Sequence, residues 1–163
     1  MKPPQRENAS APQAAQASRL ELGKRGEEWA AAYLEQFGYR IVAANFVIPV
    51  GRNRVGAVIN VEIDLVAYEG ETLCFVEVKS RMSDWFARPQ VNVDRRKQRQ
   101  IARAARAYRR MFGLLNAPYR YDVITVVSPA EEKRGGAPDI QLLRNYWTED
   151  KLRKQRWSER YYS

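Results

Sequence analysis

Two alternating stretches, Val61-Glu62-Ile63-Asp64-Leu65-Val66 and Leu73-Cys74-Phe75-Val76-Glu77-Val78-Lys79, constrain this chain more than anything else in it. Polar and apolar residues alternate in both, the period-2 pattern of a strand with one buried face. Glu69-Gly70-Glu71 between them reads as a tight turn, so the two stretches are expected to pair as an antiparallel hairpin. Side chains two apart share a face. Glu62 therefore points with Asp64, and Glu77 with Lys79. A two-residue loop at Glu69-Gly70 sets Glu62 opposite Glu77, and a four-residue loop sets Asp64 opposite Glu77. Either register gathers three carboxylates and one ammonium on one side of the hairpin. Like charges facing each other across strands repel. A divalent cation turns that repulsion into coordination, since Mg²⁺ takes one or two carboxylates and keeps several waters. The neighbouring lysine can orient a water or stabilise charge on a phosphate. The competing reading is a solvated sheet face on which Lys79 only offsets acidic charge. Strongly apolar flanks and the basic character of the rest of the chain favour a site.

That basic character is quantitative. The 163 residues carry 28 Lys+Arg against 19 Asp+Glu, a net charge of +9 and a pI near 9.9. The length suits one domain with a useful core. The charge favours polyanions, nucleic acid above all, or an anionic membrane surface. No run is apolar enough to span a bilayer, and the N-terminus lacks the apolar core of a signal peptide. One cysteine, Cys74, falls within a strand, which excludes a disulfide framework and a thiolate zinc site. A cytoplasmic setting is expected. The absence of histidine excludes Ser-His-Asp and Cys-His chemistry and imidazole-dependent metal sites. What remains is carboxylates, lysine and a hard metal.

Around the hairpin, residues 1–17 are rich in Pro, Gln, Ala and Ser and read as disordered. Ser18-Arg19-Leu20-Glu21 resembles a capping box that opens a helix running to about Phe37, stopped by Gly38. Its apolar stripe is Leu22, Gly26, Trp29, Ala30, Tyr33, Leu34 and Phe37. Glu27 sits at the stripe's edge, where it can lean over whatever the helix covers. A boundary glutamate with its stem on the apolar face fits the wheel equally well. Tyr39–Asn45 reads as a strand, and 49–60, with Pro49, Gly51, Asn53, Gly56 and Asn60, as a loop or an extended hairpin. A second helix spans about Val93–Phe112, with an apolar face of Ile101, Ala104, Ala105, Tyr108, Met111 and Phe112. An arginine stripe of Arg96, Arg99, Arg103, Arg106 and Arg110 lies opposite. Such a stripe is more often a solvated face than a phosphate contact, and both readings stand. Lys97 falls inward in the first turn, where an unpaired ammonium is costly, and so expects the acidic cluster or a bound phosphate as partner. Tyr121–Val127 and Ile140–Trp147 read as strands. The tail, 148–163, interleaves Lys151, Arg153, Lys154 and Arg156 with Trp157 and tyrosines, a composition suited to nucleic acid; a short amphipathic helix packed on the body explains it too.

The ordered set is more specific than any one of these motifs. It comprises Gly23-Lys24-Arg25-Gly26-Glu27 with Ala31-Ala32-Tyr33-Leu34, Gly38-Tyr39 and Asn45. It continues with Glu62-Ile63-Asp64-Leu65-Val66, Phe75-Val76-Glu77-Val78-Lys79 with Arg81, then Pro89, Lys97 and Tyr121-Asp122-Val123. This set resembles the YraN family of uncharacterised bacterial proteins over roughly Leu20 to Trp147. The element order resembles the PD-(D/E)xK nuclease superfamily, which includes many restriction endonucleases and archaeal Holliday-junction resolvases. The resemblance implies an α/β, restriction-endonuclease-like fold, a central mixed sheet flanked by helices in the order α-β-β-β-α-β-β. It implies Mg²⁺ or Mn²⁺ on Asp64, Glu77 and the Val78 carbonyl, with Lys79 positioning water or stabilising phosphate charge. Glu27 matches a first-helix glutamate that holds a second metal or a water. Glu62, Arg81 and Lys97 match supporting positions. Two departures stand out: Val61 where the family usually has glycine, and a longer segment between Asn45 and Glu62. The expected function is a metal-dependent endonuclease on DNA, structured or branched DNA included. The alternative is a non-catalytic nucleic-acid-binding protein of the same fold. Nucleic acid, chiefly DNA, is the expected partner, through Arg96, Arg99, Arg103, Lys151, Arg153, Lys154 and Trp157. No membrane is expected, and a homodimer is left open.

Overall fold

Strand alternation and helical stripes are realised as α1 (Ala11–Gln36), β1 (Arg40–Arg52), β2 (Val58–Glu69), β3 (Thr72–Met82), α2 (Arg95–Met111), β4 (Tyr119–Ser128) and β5 (Asp139–Trp147). The computed structural model describes residues 11–83, 91–129 and 135–152. The strands form one mixed sheet in the order β1-β2-β3-β4-β5. All neighbours are antiparallel except β3 and β4, which run parallel with α2 as their crossover, as a parallel pair requires. Among the described residues no helix is long and apolar enough to cross a membrane.

The helices cover opposite faces. Leu73 and Phe75 of β3 join Ile101, Ala104 and Tyr108 of α2 in one core. Cys74 and Val76, on the alternate positions, join Ala30 and Leu34 of α1 in the other. Helix α2 starts at the cap residue Asp94, whose carboxylate accepts the Lys97 N–H at 2.8 Å, and ends before Gly113, at φ 68°. On β4, opposite Val76 in the register, Asp122 is fully buried and accepts from Arg120 and from the Asn145 N–H. Arg120 and Arg144 both donate to the Tyr39 hydroxyl and to Glu69, so this network ties the β2–β3 turn to β4 and β5.

Several boundaries differ from the expectation. Helix α1 begins at Ala11 and runs through the Ser18 capping signal, because alanines upstream favour helix and Pro12 lies in the first turn, where it is tolerated. Phe37, Met111 and Phe112, assigned to apolar stripes, are exposed, since each lies at a helix end beyond the covered sheet. Segment 49–60 is the extended hairpin, not a loop. Residues 1–10 and most of the tail, including Arg153, Lys154 and Trp157, lie outside the described residues.

Candidate metal centre

The sheet forks. The β2–β3 ladder runs only from Glu69↔Thr72 to Leu65↔Val76. Beyond it, β2 stays with β1 as far as Arg52↔Val58, while β3 stays with β4 as far as Met82↔Ser128. Asp64 and Glu77 are the next residues on each side of the split. The register is the one that sets Asp64 against Glu77, although only Gly70 and Glu71 remain as the turn.

Asp64 closes the fork. Its Oδ2 accepts the Val78 N–H at 2.8 Å, substituting for the missing ladder bond. On a strand the N–H and C=O of one residue point to the same side, so the Val78 carbonyl faces the gap as well.

The four hairpin groups do not share one side of the sheet, which corrects the expectation. Ile63 packs in the α2 core and Leu65, two residues on, in the α1 core; regular alternation forbids this. The swap occurs where Ala44↔Leu65 and Phe46↔Ile63 flank the Asn45/Asp64 position, and Asn45 has φ 49°. Glu62 and Asp64 flank Ile63 and so turn toward α1. Glu77 stands between Val76 and Val78, both facing α1, and so turns toward α2.

Through the fork both helices reach the same place. Helix α1 brings Glu27, and one carboxylate oxygen each from Glu27, Glu62 and Asp64 lie within 4.8 Å of one another. Asn45 Nδ2 donates to Glu27 at 2.7 Å and to Glu62 at 3.0 Å, holding two of the three. Gly26 allows the approach: a Cβ there would fall 1.7 Å from Ser80 Oγ, one residue past Lys79. From the other side, Lys79 Nζ lies 3.2 Å from Glu77 Oε1 and Lys97 Nζ 3.7 Å from Oε2. Glu77 is 5 % exposed, and its Oε2 has no hydrogen-bond partner, because the Lys97 distance is too long for one.

Burial, and after it the Glu77 charge, pushes the Asp64 carboxyl up to about 7, against the Val78 hydrogen bond and Lys97, which favour ionisation. With Asp64 ionised, as metal binding requires, the four formal carboxylate charges of Glu27, Glu62, Asp64 and Glu77 less those of Lys79 and Lys97 leave two negative charges, the amount one divalent cation neutralises. An all-oxygen donor set with a buried, unpartnered carboxylate oxygen fits a hard cation such as Mg²⁺ or Mn²⁺.

The remaining expected residues are more scattered. Arg81 is exposed and donates to the Ser80 carbonyl at 2.9 Å. Arg96 and Arg99 are exposed on α2, while Arg103 is committed to the Val50 carbonyl at 2.8 Å. Lys151 is exposed where the tail begins. Asn45 carried a signal that strand reading passed over: an amide amid Val42, Ala43, Ala44, Phe46 and Val47, of a residue type that tolerates positive φ.

Fold and site together define a mixed α/β protein with a carboxylate-lined fork in its sheet. The sequence model of the uncharacterised protein family UPF0102 matches residues 26–126, and the chain belongs to that family. It is 44% identical over 126 residues to a UPF0102 protein of Geobacter sulfurreducens, covering 76% of this chain and 86% of that one. A UPF0102 protein of Chlorobium chlorochromatii is 41% identical over 134 residues, covering 81% and 95%. One of Koribacter versatilis is 36% identical over 138 residues, covering 85% and 87%.

Proposed function

We propose that this protein is a divalent-metal-dependent endonuclease of the PD-(D/E)xK type that hydrolyses phosphodiester bonds in DNA, structured or branched DNA included. The observation that carries the reading is the fork itself. Glu27, Glu62 and Asp64 converge there, with a buried Glu77 whose Oε2 accepts no hydrogen bond and two lysines beside it. Glu77 is buried, Glu27 and Asp64 are half-buried and Glu62 is exposed; a cation at this break in the sheet would offset their mutual repulsion.

Asp64, Glu77 and the Val78 carbonyl would hold Mg²⁺ or Mn²⁺, and Glu27 and Glu62, fixed by Asn45, would hold a second ion or its water. The ion, when bound, lowers the pKa of a water and neutralises charge on the scissile phosphate. Lys79, poised on Glu77, orients that water or meets the charge that develops on the phosphate. Lys97 secures Glu77 from the α2 side. The chain's net charge of +9 supplies attraction for the polyanion.

Supercoiled plasmid, linear duplex, flapped and four-way DNA are incubated with the protein in Mn²⁺ and in EDTA. The expected result is cleavage in Mn²⁺ alone, lost in Asp64→Asn. Retained DNA binding with no cleavage of any substrate in Mn²⁺ would leave the nuclease reading without support and favour a binding protein.

A further inference from the structure

The β1–β2 ribbon extends past the part of the sheet that α2 covers. Ile48, Val50 and Val61 still pack in that core, but residues 51–58 are all exposed. The tip is nevertheless rigid. Asn53 Oδ1 accepts from the Val55 and Ala57 N–H groups at 3.1 and 2.9 Å. The Asn53 N–H donates to the Ala57 carbonyl, and the Gly56 N–H to the Asn53 carbonyl. Arg52 Nη1 donates to the Gly56 carbonyl at 2.7 Å, and Gly56 has φ 82°. Arg103 braces the ribbon's base through the Val50 carbonyl.

Into this turn the sequence puts a valine. Turns favour Gly, Asn, Asp, Ser and Pro, and here Asn53 and Gly56 already meet the backbone's needs. Val55 is 87% exposed and Val58 50%, so neither contributes full burial to the core. Arg52 and Arg54 flank the apolar tip.

We propose that the ribbon tip is a DNA-contacting arm that sets Val55 into an open base step while Arg54 contacts the adjoining phosphates. The proposal rests on the DNA reading above and deepens it. Apolar side chains inserted at a base step unstack and kink a duplex, with arginines reading the backbone and groove beside them. The arm's length sets where this happens. From Asp64 back to Val58, six residues at about 3.3 Å each span roughly 20 Å. At about 3.4 Å per base step, that puts the base of the turn about six steps from the carboxylates, and Val55 beyond it. Burying one valine is worth about tenfold in affinity, less than the cost of unstacking a closed step. The tip therefore selects DNA in which the step opens at lower cost, at a nick, a flap or a branch.

The test uses the full chain in Ca²⁺, with 2-aminopurine placed in turn at each step around a nick and in the matching intact duplex. Binding of the wild-type protein should raise the fluorescence at one step beside the nick. Val55→Ser should abolish that rise and lose about tenfold more affinity on nicked than on intact DNA. Arg54→Ala should weaken both, and Mn²⁺ titrations of both variants should match wild type. Equal behaviour of Val55→Ser and wild type on DNA that the protein binds and cuts would overturn the arm alone. Wild-type protein that binds neither DNA would overturn the arm and the nuclease reading together.

Discussion

Asp64 holds two tasks that conflict. Its carboxylate caps the Val78 N–H where the ladder stops, and it stands among other acids in a buried place. The result is a group pushed up to about 7 from the usual value of about 3.9. The sign of the consequence is definite. The folded state holds this proton more tightly than the unfolded chain, so in EDTA the contribution of Asp64 to stability declines as pH rises from about 4 to about 7. Metal needs the ionised form, so Mn²⁺ affinity should fall roughly tenfold per pH unit below about 7. Calorimetric titrations between pH 5.5 and 8 check this; a flat profile would mean that Asp64 is not a ligand. Lys79 supplies no metal ligand. Lys79→Ala should lose about 10²-fold or more in cleavage rate while Mn²⁺ and DNA binding persist, and wild-type turnover would make Lys79 structural. Residue type and spacing drew attention to Asp64, Glu77, Lys79 and Lys97, but spacing set the hairpin groups on one face where the sheet divides them, and it left Glu27 evenly balanced at the edge of its helix stripe. Asn45 stands out as an amide among apolar neighbours, but its part in joining Glu27 to Glu62 was not legible, since that depends on a positive φ that spacing does not record.

At the level of elements, the sequence was clearest where one face is buried along a whole strand. β4 and β5 lie within a residue or two of their expected positions, β3 runs three residues past its expected end at Lys79, and the order α-β-β-β-α-β-β is the one observed. Alternation misled at β2, because strict period-2 reasoning assumes an unbroken strand, and the Asn45/Asp64 swap moves Leu65 to the opposite core. That swap is what lets α1 and α2 act on one gap from two sides. Helix α1 depends for its position on Gly26. A methyl there meets Ser80 Oγ at 1.7 Å and Cβ at 2.8 Å, and while a hydroxyl can rotate away, Cβ cannot. Gly26→Ala should therefore lift α1 from β3, costing about 1–3 kcal/mol and weakening Mn²⁺ binding as Glu27 moves. Thermal unfolding with and without Mn²⁺ measures both, and Ser80→Gly added to Gly26→Ala should restore them. Undiminished stability of Gly26→Ala would show the contact to be slack.

For the molecule as a whole, a basic body surrounds an acidic fork. Composition alone pointed to a polyanion, but it could not say which basic groups are free. Arg103 is spent on the Val50 carbonyl, and Arg109, read as part of no stripe, is buried and lies over the Tyr119 ring at 3.6 Å. Arg96 and Arg99 remain exposed. DNA affinity should fall linearly with salt on logarithmic axes, with a slope of about 0.9 per phosphate neutralised. Arg96→Ala with Arg99→Ala should flatten that slope if α2 faces DNA, and truncation after Trp147 should flatten it if the tail does. An affinity independent of salt would direct this surface to a protein partner instead.

The claim on which the rest depends is that the fork holds a divalent cation. Calorimetric titration of the purified protein with Mn²⁺ at pH 8 tests it most directly, with Asp64→Asn and Glu77→Gln run alongside and circular dichroism to show that both variants are folded. The account predicts saturable binding by the wild type that each substitution abolishes. Binding of Mn²⁺ that survives both substitutions unchanged, or no binding by the folded wild type, would contradict it.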